Sequence, residues 1–112
     1  MSKTPDPGLD LVEAIRAGLP AGVELDEREE AILDLAARQA RDVAAAEADI
    51  AERGYLVAGA RGQAVVNPSV AEARQSRLAL GKLLGQLDLP ESTRDAVRDA
   101  RRAAETRWGK AS

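Results

Sequence analysis

The chain has 112 residues, 45% of them hydrophobic and 31% charged, with a formal net charge of −3 and neither cysteine nor histidine. That length holds one ordinary domain and excludes a multidomain enzyme, while the missing residue types remove disulfides, thiolate nucleophiles, imidazole bases and the usual zinc ligands. Leu, Ile and Val number 24 against 23 alanines, and Tyr55 and Trp108 are the only aromatics, so one copy builds a thin core and self-association is expected.

Charge is uneven along the chain. Residues 1 to 60 carry 6 basic and 13 acidic side chains, a net of −7, whereas residues 61 to 112 carry 10 and 6, a net of +4. Such polarity suits an acidic face toward a protein and a basic end toward nucleic acid, or head-to-tail contacts between copies. The opening MSKTPDPG lacks the apolar run of a secretory signal, and no stretch approaches bilayer-spanning length, so a cytoplasmic protein without membrane contact is expected.

Ser2 to Gly8, with Pro5 and Pro7, reads as a flexible arm over residues 1–8, after which Leu9, Val12 and Ile15 fall at helical spacing until Gly18. Gly18, Pro20 and Gly22 form a connector, and Asp26 followed by Glu29 matches a capping box with a carboxylate in place of the hydroxyl. A second helix is therefore predicted from Glu27, with nothing to break it before Gly54, about 40 Å at 1.5 Å per residue. Along it Ile32, Ala36, Gln39, Val43, Ala46 and Ile50 alternate at steps of four and three, a seam like that of a coiled coil. Gly54 is expected to end the helix in a left-handed cap.

Tyr55-Leu56-Val57 and Ala64-Val65-Val66 flank a glycine-bearing turn and predict a small hairpin. Asn67-Pro68 is a helix start, with Asn as N-cap and Pro at a position that needs no amide donor. The third helix runs to about Leu87 and sets Val70, Ala73, Leu80, Leu83, Leu84 and Leu87 toward the second in an antiparallel pair. Pro90 opens a fourth, Glu91 to about Trp108, with the weak apolar set Val97, Ala100 and Ala104. The fold class expected is mainly α: a long antiparallel helix pair joined by a short β-hairpin, with a short N-terminal helix and a C-terminal helix, one domain over residues 9–108 and a tail over 109–112.

Catalytic chemistry finds little support. Glu27, Glu29, Glu30 and Asp34 sit where the helix dipole favours acids, as a solvated helix start or a patch facing a protein partner, and no metal site is expected. Ser69, Ser76 and Ser92 have no histidine to activate them. Gly59-Ala60-Arg61-Gly62 has the form of the loop with which some RNA-binding modules clamp a backbone, but β-prone flanks make it a hairpin turn with Arg61 at its tip. From Arg94 onward six cations stand against three acids, and Arg94, Arg98, Arg101 and Arg102 fall along one edge of a helix. That edge suits phosphate contacts, or equally a salt-bridged surface, since Arg94-Asp95 and Arg98-Asp99 interleave opposite charges.

The order Glu52-Arg53-Gly54-Tyr55-Leu56-Val57, then Gly59 to Pro68, then an Arg- and Leu-containing helix ending in Leu87-Asp88-Leu89-Pro90-Glu91-Ser92-Thr93-Arg94, resembles the helical small subunits of tailed-phage terminases over residues 26 to 94. The resemblance implies a non-catalytic viral DNA-packaging subunit without a cofactor. Such a subunit self-associates, commonly in rings, recognises the packaging start on double-stranded viral DNA in the bacterial host, and recruits or regulates the large subunit that holds the ATPase and nuclease. On charge, Arg94, Arg98, Arg101 and Arg102, with Arg61 behind them, are the DNA-contact candidates. Ile32, Ala36, Val43, Ala46 and Ile50 with Leu80, Leu84 and Leu87 form the seam that packs helices or subunits. The competing reading is a helical protein adaptor or regulator that binds no DNA.

Overall fold

A computed structural model describes residues 5–87, 89, 98 and 102. Helix α1 spans Pro7–Gly18, α2 Glu27–Arg53, strand β1 Leu56–Ala58, β2 Ala64–Val66, and α3 Pro68–Gly85. The predicted fourth helix and the tail lie outside the described residues, apart from Arg98 and Arg102, each of which is helical.

Helix α1 begins two residues earlier than the apolar spacing suggests, inside the stretch read as an arm. Asp6 is its N-cap, accepting from the amides of Gly8 and Leu9 at 3.0 and 3.1 Å, and Pro7 occupies the first turn. Helix α2 starts with the predicted capping box: Asp26 Oδ1 accepts from the Glu29 amide at 2.7 Å, and Glu29 Oε1 accepts from the Asp26 amide at 3.1 Å. Its other end differs from the expected left-handed cap. Gly54 has φ 92° and ψ 172°, an extended conformation with positive φ that is almost confined to glycine.

The hairpin is antiparallel, with Leu56 opposite Val66, Val57 opposite Val65 and Ala58 opposite Ala64. Gly59 N–H donates to Gln63 C=O at 2.7 Å and Gly62, at φ 79°, donates back to Gly59 C=O at 3.0 Å. This tight loop places Ala60, Arg61 and Gly62 at the tip. The hairpin turns the chain so that α3 packs antiparallel on α2, while α1 packs on another side of α2.

The core is concentrated toward the N-terminal half of α2, where Leu11 and Ile15 of α1, Ile32, Leu33 and Ala36 of α2, Leu80 of α3, and Leu87 and Leu89 beyond α3 form one cluster. Each fully buried leucine or isoleucine contributes about 1.5–3 kcal/mol. Toward the hairpin the buried residues of the pair are small, Ala46 of α2 and Ala73 and Ser76 of α3, and small residues let helix backbones approach. Two interhelical ion pairs brace α1 and its cap: Arg16 grips Glu30 through two bonds of 2.8 Å, and Arg41 holds the capping Asp6 at 3.0 Å.

Candidate functional site

The hairpin is fixed to the helix pair by a polar knot at its base. Asn67 is fully buried; its Nδ2 donates to Gly54 C=O at 3.0 Å, and its Oδ1 accepts from the Ser69 amide at 2.9 Å and from Arg53 Nη2 at 3.1 Å. Arg53 also binds Asp49 at 2.6 and 2.7 Å, and the Ser69 hydroxyl donates to Asp49 Oδ2 at 2.6 Å. The Arg53 guanidinium first, then the Ser69 hydroxyl, hold the Asp49 carboxyl far below the usual carboxylate range. The sequence shows Asn67 as an N-cap. Its donor role leaves one signal in the sequence, the choice of Asn over Asp, since an ionised carboxylate only accepts.

Above that knot the hairpin carries its exposed apolar side chains outward: the cross-strand pair Leu56 and Val66, with Tyr55 beside them, while Val57 and Val65 are half-buried. Arg61 is exposed at the tip, its amide donating to Gln63 Oε1 at 2.9 Å. Of the basic edge, Arg98 and Arg102 are helical and exposed, whereas Arg94 and Arg101 lie outside the described residues. In the helical body Arg16 holds Glu30, Arg38 Asp34, Arg41 Asp6, Arg53 Asp49, and Arg77 Glu47.

The four acids at the start of α2 do not converge. Glu29 closes the capping box, Glu30 binds Arg16 and is held below its ordinary value by that hydrogen bond, Asp34 pairs with Arg38 at 3.2 Å, and Glu27 is exposed. Among the described residues there is no group of three or more side chains that could hold a metal. An open groove of about 410 Å³ runs between the start of α1 and α2, lined by Pro5, Pro7, Ala44, Ala45 and Ala48 around the Asp6–Arg41 pair. Both of its charged groups are already engaged with each other.

The predicted seam lies inside the single chain. Ile32, Ala36, Ala46, Leu80 and Leu87 are buried, Val43, Ile50 and Leu84 half-buried, and Gln39 half-buried at the same stripe. These residues pack the helices of one copy, and a second copy reaches the buried ones only by prising them apart. Leu33 and Ala37, which the seam omitted, are as deeply buried, because α2 is covered by α1 as well as α3. No helix among the described residues is long and apolar enough to cross a membrane.

The sequence model of one family, described as phage terminase, small subunit, matches residues 17–103. No curated protein and no solved structure matches the chain.

Proposed function

The chain belongs to the phage terminase small-subunit family, and from that membership we propose that it recognises the packaging start on viral DNA, assembles with copies of itself, and recruits or regulates the large subunit. A general role in phage DNA packaging comes with the family, as does the place of the non-catalytic partner beside the large subunit. The observation that carries the finer reading is the match itself, which runs from the end of α1 through the helix pair and hairpin and past α3. The setting would be the cytoplasm of the bacterial host.

Charge supports a DNA-contact role for the segment beyond α3. From Arg94 onward cations outnumber acids six to three, and such an excess suits contact with phosphates. Arg94, Arg98, Arg101 and Arg102 are the proposed phosphate contacts, with Arg61 at the hairpin tip as a further one. The acid-rich start of α2 better suits a protein surface.

A mobility-shift titration of the full chain on phage DNA, at two salt concentrations, tests this. Each phosphate neutralised adds about 0.9 to the slope of log K against log salt, and the triple substitution R98E, R101E, R102E should abolish the shift. Binding that survives the triple change moves the contact elsewhere. A wild-type chain indifferent to DNA at low salt favours the protein adaptor.

A further inference from the structure

We propose that copies of this chain join side by side through Leu35 of α2 on one copy and Leu78 with Gly81 of α3 on the next. The proposal rests on the reading that the subunit self-associates, and it assigns the surface, since five of the eight residues of the seam expected to pack helices or subunits are buried within one copy and the other three half-buried.

Two exposed stripes carry it. On α2, Ala31, Leu35, Arg38 and Asp42 stand at steps of four, three and four, a single helical face, and all are exposed, Leu35 at 49%. On α3, Arg74, Leu78, Gly81 and Gly85 repeat the same steps, again all exposed, Leu78 at 65%. Laid antiparallel, the stripes complement each other position by position. Leu35 faces the gap at Gly81 and Ala31 that at Gly85; Leu78 lies along the stem of Arg38, and Asp42 meets Arg74. Neither Asp42 nor Arg74 forms a salt bridge among the described residues. Laid parallel, leucine would meet leucine and both charge and size would mismatch.

Gly81 and Gly85 supply an independent argument. Glycine is a poor helix former, yet a Cβ built at either position meets nothing within 4 Å. Nothing among the described residues requires glycine there, whereas close approach of another backbone would.

The heights agree as well. Ser69 bonds to Asp49 across the pair, and counting in opposite directions from that level sets Gly81 beside Ala37 and Leu78 beside Ala40. The matching α2 residues, Leu35 and Arg38, thus lie within two residues, about 3 Å, of the same height. Rotation about an axis parallel to the helix pair preserves height, so neighbouring copies meet in register without sliding. Because the two faces differ, the contact is heterologous and propagates into a ring or open array.

Sedimentation equilibrium and native mass measurement of the full chain test the proposal, with helical circular dichroism as the check on folding. Wild type should be oligomeric, and Gly81→Leu and Leu35→Glu should each be monomeric with unchanged helicity. Asp42→Arg or Arg74→Asp alone should weaken association about fivefold, and the pair together should restore it. An oligomeric wild type whose Gly81→Leu and Leu35→Glu variants assemble equally well overturns this interface while self-association stands. A monomeric wild type overturns both.

Discussion

Replacing Asn67 with alanine should unlock the joint between the hairpin and the helix pair, and the loss can be built from its contacts. The side chain caps α3 through the Ser69 amide, a role whose removal costs about 1 kcal/mol. It is also the hydrogen-bond donor to Gly54 C=O and an acceptor for Arg53; part-buried groups left without a partner add about 1–3 kcal/mol. The expected loss is therefore about 2–4 kcal/mol, and a Tm lower by about 10 °C or more in a domain of this size. Urea unfolding followed by circular dichroism measures it. Asn67→Asp, which keeps the acceptor but lacks the donor and adds a charge beside Asp49, should fall between wild type and alanine. Asn67→Ala within about 0.5 kcal/mol of wild type would show that the knot does not hold the hairpin.

Two further outcomes follow from the same contacts. Asp6, Glu30 and Asp49 are all held below their ordinary values by arginine partners, so each adds stability above the unfolded value of about 4 and loses it as pH falls through the folded value. With no histidine in the chain, Tm should stay level from pH 8 to 5 and drop below about pH 4; a drop between pH 7 and 5 contradicts this origin. Gly8→Ala would set a methyl 2.7 Å from the Ala37 carbonyl oxygen, a backbone atom that cannot swing aside, and should destabilise the fold by about 1–3 kcal/mol. Unchanged unfolding in urea would refute the close seating of α1 on α2.

Much of the fold was legible because its signals are local. Asp26 with Glu29, Asn67 with Pro68, and Gly54 each settle an element boundary within a few residues of themselves, and the structure has α2 and α3 starting where those residues put them. Asp6 with Pro7 carries the same local signal as Asn67 with Pro68, but two prolines and a glycine within four residues read as an arm; what no local signal gives is the contact with Arg41, 35 positions away. Ser76 is polar by composition yet buried by its place between Ala73 and Leu80, a fact of the α2–α3 crossing rather than of sequence spacing. The Asp49–Ser69 bond spans 20 positions and is invisible to any periodicity. For the candidate site, the arginines could be ranked by charge alone. Which of them the chain uses internally required the positions of its carboxylates.

The seam shows where periodicity stops. Steps of four and three from Ile32 to Ile50 establish that α2 has an apolar face, but the same steps serve a partner helix of the same chain or of another copy. With that face covered by α1 and α3, the proposed contact uses the remaining side of α2, where the exposed Leu35 stands near the height of Gly81. Leu89, buried in the core cluster, would then recur at one height around the proposed assembly, and the basic segment leaving it would start from one rim in every copy. A few cations per copy hold DNA weakly, whereas the same cations repeated along a rim act together, so the thin core, the helical glycines and the modest C-terminal charge have a common account.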